Sequence, residues 1–98
     1  MVKGQDRNVV LTSGGLKALS QNPLSKVEGI VLWHLVVSLP VAGDVVSKAA
    51  LDPLLSVTQH QINRAMKRLC ELGFLTRGPK IGVSYHYKLN PAFFRILS

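Results

Sequence analysis

Apolar positions recur at helical spacing most clearly near the middle of the second half of the chain. Ile62, Ala65, Met66, Leu69 and Leu72 follow one another at three- and four-residue intervals, so on a helix they form one stripe that faces a core. Thr58 stands at the start and Gln61 three residues later, the capping-box spacing that satisfies two otherwise orphaned backbone donors. The other side carries Gln59, His60, Asn63, Arg64 and Lys67, with no acidic residue before Glu71. Gly73 follows Leu72 directly and is the usual residue for a left-handed helix stop.

A second helix has the opposite character. Ser25 and Glu28 repeat the capping-box spacing, and Pro40 ends a helix expected over about Lys26 to Leu39. Val27, Ile30, Val31, Leu32, Trp33, Leu35, Val36, Val37 and Leu39 wrap nearly around it. A helix apolar on all sides must be covered on all sides, either by its own chain or in part by a second subunit. His34 within this run reads as a packed, hydrogen-bonded residue, because no second metal-type residue lies at helical spacing from it.

The rest is shorter and punctuated. Residues 1–8 lack periodicity and read as a flexible arm, whose Lys3 and Arg7 either touch phosphates or are simply solvated. Val9 to Leu11 is a short strand or extended packing segment, and Thr12 or Ser13 caps a short helix over Leu16 to Ser20 that Gly14 and Gly15 weaken. Val41 to Val46 reads as a turn and short strand, and Ser47 caps a helix through Lys48 to Leu51. Asp52-Pro53 is expected to end or kink that helix, with a restart through Leu54-Leu55 and a bend at Ser56-Val57. Phe74 to Arg77 is a strand candidate and Gly78 to Gly82 a turn-rich loop. Val83 to Leu89 alternates, with Val83, Tyr85, Tyr87 and Leu89 on one face and Ser84, His86 and Lys88 on the other. Together they predict a hairpin. Asn90-Pro91 is expected to cap a closing helix to Leu97.

Charge narrows the partners. The 98-residue chain carries 12 Lys+Arg against 5 Asp+Glu, a formal net charge of +7, which favours a polyanion. Nucleic acid fits better than membrane: the longest apolar run, Ile30 to Val37, is interrupted by His34 and far short of the roughly 20 residues a spanning helix needs. Met1 to Arg7 has no apolar core of a secretory signal, which points to a cytoplasmic protein, nucleoid-associated when bound to DNA. The one cysteine, Cys70, makes no internal disulfide and reads as a packing residue. No zinc spacing and no phosphate-binding Gly-rich loop occurs, and the carboxylates are scattered, so neither a cofactor nor enzymatic activity is expected.

The order helix, short strand, helix, turn, helix, hairpin matches a winged helix-turn-helix. The stretch AALDPLLSVTQHQINRAMKRLCELGFLTR resembles the helix-turn-helix of that superfamily, in the form carried by MarR-type regulators. The ending YHYKLNPAFF also resembles RepL-type plasmid replication initiators. Two departures stand out: Ser56 occupies a bend position often held by glycine, and Pro53 lies in the preceding helix. The resemblance implies an α+β, mainly α fold with a C-terminal two-stranded wing. Its expected layout is a single domain over 9–98, with the helix-turn-helix at about 47–72, the wing at about 74–89 and the closing helix at about 91–97.

Site residues follow from the geometry of such a fold. The helix N-terminus enters the major groove, so Gln59, His60 and Asn63 are candidate base readers, Asn63 suiting adenine. Thr58, Arg64, Lys67, Arg77 and Lys80 are candidate backbone contacts, which position rather than specify. Arg68 is assigned to a surface pair or to covering the core, and His86 and Lys88 are secondary candidates. The expected function is sequence-specific binding of double-stranded DNA by a homodimer, as a transcriptional repressor or a plasmid-type replication or partition factor. The alternative is a protein-interaction module of a larger nucleic-acid machine, docking through the apolar helix and aromatic tail.

Overall fold

Every helix among the described residues starts at a hydroxyl. The computed structural model describes residues 8–97, and in it Thr12, Ser25, Ser47 and Thr58 each accept the backbone N–H three residues ahead, at Gly15, Glu28, Ala50 and Gln61. Each such cap contributes about 1 kcal/mol. The helices they open are α1 (Ser13–Gln21), α2 (Lys26–Ser38), α3 (Lys48–Leu55) and α4 (Gln59–Glu71). Both expected capping boxes form, with Glu28 and Gln61 reaching back to the backbone N–H groups of Ser25 and Thr58. The expected arm lies outside the described residues except for Asn8, whose carbonyl accepts the Leu97 N–H at 2.8 Å.

Before, between and after the helices, the described residues form five strands: β1 (Val9–Leu11), β2 (Asp44–Val45), β3 (Leu75–Ile81), β4 (Ser84–Leu89) and β5 (Phe94–Ile96). They form two antiparallel sheets, β1-β5 and β2-β4-β3. The fold is therefore α+β, with helices and small antiparallel sheets sharing one core.

Three local expectations are corrected. First, α3 does not end at Asp52 but continues through Pro53 to Leu55. Proline removes the donor that would serve the carbonyl four residues back, yet the buried Leu51 and half-buried Leu55 hold the turn against the core. Second, the hairpin loop is not Gly78 to Gly82. β3 runs on to Ile81, and the reversal is a two-residue turn, Gly82-Val83, with the backbone of Gly82 at φ 66°. Gly78-Pro79 instead sits in a β-bulge between Arg77 and Lys80. Proline is tolerated there because β3 is an edge strand. Third, residues 91–97 do not form a helix. Asn90 Oδ1 accepts the Ala92 N–H at 2.9 Å, a turn of the kind asparagine favours, and the chain then enters β5 opposite β1. Phe94 buried, Arg95 exposed and Ile96 half-buried is strand periodicity, with β1 supplying the backbone partners.

The stop of α4 follows its sequence signal. Gly73 lies at φ 89°; its N–H donates to Cys70 O, and the Phe74 N–H reaches Leu69 O. This pair of bonds satisfies the last carbonyls of the helix. Gly15 answers a different need, since a Cβ there would stand 2.7 Å from both Leu11 Cδ1 and Phe93 O. What the two glycines cost α1 in helix propensity is thus offset at Gly15 by close packing against the terminal strands.

The core joins Val31, Leu32 and Leu35 of α2 to Ile62, Ala65, Met66 and Leu69 of α4, closed by Phe74, Leu75, Tyr87, Leu89 and Phe94. Most of the apolar girth of α2 is thereby covered by its own chain. An outer strip remains, with Trp33 46% and Val37 58% exposed. Trp33 meets Phe94 edge-to-face at 6.4 Å between ring centroids.

Two stability changes follow. Ser56 holds a left-handed backbone at φ 57°, ψ 39°, a strain of roughly 1–2 kcal/mol for a residue with a side chain. Ser56→Gly should raise the unfolding free energy by up to about 1 kcal/mol, because relieving the strain outweighs the extra freedom given to the unfolded chain; the urea midpoint reads it. Asn90 Nδ2 donates to Gly73 O at 2.7 Å in a half-buried setting. Asn90→Ala should cost about 1–3 kcal/mol by leaving that carbonyl unpaired, lowering the midpoint at an unchanged urea slope.

Candidate nucleic-acid interface

The rotation of α4 about its axis is set by its apolar stripe. Ile62, Ala65, Met66 and Leu69 are buried, and the residues on the far side are left outward. Gln59, His60, Asn63, Arg64 and Lys67 are all exposed. Among the described residues no internal hydrogen bond or ion pair engages their side chains. Their donors and acceptors are therefore free for an external partner along one side of the helix.

Thr58 stands apart from the other residues expected to contact DNA. Its hydroxyl oxygen accepts the Gln61 N–H at 3.1 Å, and the hydroxyl lies 3.3 Å from Gln61 Oε1. Its first role is to start the helix. Arg68 pairs loosely with Glu28, Nε to Oε2 4.0 Å, linking the outer flank of α4 to the first turn of α2. With Arg68 half-exposed, such a pair adds little to stability. A groove of about 580 Å³ lies along this flank, lined by Val27, Glu28, Gln61, Arg64, Arg68 and Glu71.

The hairpin adds a second group of cations. Arg77 and Lys80 are exposed on β3 beside the half-buried Tyr85 of β4. Lys80, expected in a loop, is instead in the strand opposite Tyr85. The alternation from Val83 to Leu89 groups Tyr85 with Tyr87 and Leu89 and gives it no role at the interface; its cross-strand neighbours depend on the bulge, for which Gly78-Pro79 is the sequence signal. Lys88 and His86, the secondary candidates, are half-buried on the other face, pairing with Thr76 and Val45.

Arg77 lies close enough to the end of α4 to act on the Cys70 thiol. Burial pushes the Cys70 thiol up, while the nearby Arg77 guanidinium pulls it partly back and Glu71 adds to the rise. Cys70 is thus a half-buried thiol with little thiolate character, consistent with a packing residue. Among the described residues no cluster of three or more His, Cys, Asp or Glu could hold a metal ion. No helix among them is long and apolar enough to cross a membrane.

No family model, curated protein or solved structure matches the chain. Its chemistry must therefore be read from its own surface: an outward helix face of amides, imidazole and cations, beside a hairpin with two more cations.

Replacing the cap separates its structural part from any contact. Thr58→Ala should lower unfolding free energy by about 1 kcal/mol, and Thr58→Ser should recover most of the loss in the same urea titration.

Proposed function

We propose that the chain is a winged helix-turn-helix protein that binds double-stranded DNA sequence-specifically. In this reading α3 and α4 form the helix-turn-helix, α4 enters the major groove, and the β3–β4 hairpin is the wing that lies along the flanking backbone. One observation carries it: the side chains of Gln59, His60, Asn63, Arg64 and Lys67 are exposed on one side of a helix whose other side is fixed in the core. Gln59, His60 and Asn63 read base edges, and Arg64, Lys67, Arg77 and Lys80 hold phosphates. Net charge supports the same partner, since +7 on 98 residues draws the chain toward a polyanion.

The protein acts as a homodimer in the cytoplasm, two copies of α4 reading two half-sites about a two-fold axis. Its biological role is a repressor or a plasmid-type replication or partition factor, working by occupying its site. A second reading, a protein-docking module, rests on the exposed Trp33 and Val37 of α2. The aromatic tail lends it less than the sequence suggested, because Phe94 is buried and Phe93 packs against Phe74.

Gel shifts with fragmented DNA from the source replicon over a salt series test the reading. Binding should weaken steeply with salt, by roughly 0.9 in log–log slope for each phosphate contact. Asn63→Ala should relax sequence preference, whereas Lys80→Ala should weaken all sequences alike. No binding at low salt, or affinity indifferent to salt, would count against DNA; a stoichiometric protein complex that survives high salt would favour docking.

A further inference from the structure

Arg77 and Lys80 are three residues apart, and a regular strand would send their side chains to opposite faces. The bulge cancels the odd spacing. Arg77 lies opposite Tyr87 and Lys80 opposite Tyr85, so three steps along β3 match two along β4. Residues directly opposed across a ladder share a face. Both cations therefore emerge on the face that carries Leu75 and Leu89 into the core nearer the root. Outward along this face, Tyr87 is buried, Tyr85 half-buried, and Arg77 and Lys80 exposed.

Tyr85 holds the pair. Arg77 Cζ lies 4.4 Å from its ring centroid and Lys80 Nζ 5.9 Å, both within cation–π range. Among the described residues neither cation has a carboxylate partner. Two like charges gathered at one ring repel each other, and an anion between or beside them relieves that repulsion. The ring also restrains two long side chains before a ligand arrives, so less side-chain freedom is lost on binding.

We propose that Arg77, Lys80 and Tyr85 form one binding site for a backbone phosphodiester, with Tyr85 as its positioning residue. The site rests on the DNA reading above and adds to it a residue that carries no charge. The bulge at Gly78-Pro79 gives the site its phase, and the half-buried ring anchors it to the hairpin.

The test uses the full chain and the duplex selected in the gel shifts. Tyr85→Leu should weaken binding about threefold to tenfold, the scale of the side-chain freedom that the ring removes before the ligand arrives. Tyr85→Phe and Tyr85→Trp should rescue it, because each keeps a ring. Arg77→Ala and Lys80→Ala should each lower the salt slope by about 1, and each should cost less affinity in the Tyr85→Leu background than in the wild type. Tyr85→Leu binding like wild type, or Tyr85→Phe as weak as Tyr85→Leu, overturns the site while leaving the DNA reading standing. Wild-type protein that binds no duplex at low salt overturns both. If Tyr85→Leu fails to fold, the Arg77→Ala and Lys80→Ala cycle decides: one shared site gives penalties that do not add, and additive penalties overturn it.

Discussion

The arrangement depends on the burial of one side of α4 against α2. Ile62, Ala65, Met66 and Leu69 are all essentially inaccessible to water, and burying a large aliphatic side chain contributes roughly 1.5–3 kcal/mol. Turning α4 by one residue, about 100°, would exchange several such burials for the burial of Asn63, Arg64 or Lys67. An unpaired buried charge costs several kcal/mol more. No contact the polar side could make outweighs that difference. The outward orientation of Gln59, His60, Asn63, Arg64 and Lys67 is therefore a consequence of the core, and it exists before any partner arrives.

The hairpin is positioned by a second set of constraints, centred on the turn after α4. Gly73 ends the helix and Phe74 plunges into the core, where it meets Phe93 and Phe94. Asn90, at the far end of β4, binds the same turn twice: its Nδ2 to Gly73 O and its N–H to Phe74 O. Both ends of the hairpin are thus fastened at the foot of α4. From that root the hairpin changes from an apolar base to a cationic outer half, and Arg77 comes close enough to Cys70 to be felt by its thiol. Helix and hairpin present their positive charge from one shared root.

The candidate site was legible because its signals are local. Caps and stops act over three or four residues, and an apolar stripe at helical spacing states both that α4 forms and which side it hides. Gln59, His60, Asn63, Arg64 and Lys67 were placed correctly on the exposed side for that reason. Tyr85 was not recognised because its relation to Arg77 and Lys80 depends on cross-strand register, which the bulge shifts by one residue.

Local chemistry, then, fixed the starts of all the helices, the stop at Gly73 and the two-faced character of α4, since hydroxyl caps, a glycine stop and a periodic stripe need no distant partner. Tertiary structure decided three other matters. Pro53 stays within α3 because neighbouring side chains pack into the core. The segment after Asn90 becomes β5 because β1, from the other end of the chain, offers its backbone edge. Lys80 joins Arg77 on one face because β4 sets the register of β3. Each of these rests on contacts between residues far apart in sequence, where the energy of pairing and burial exceeds the local preference it overrides.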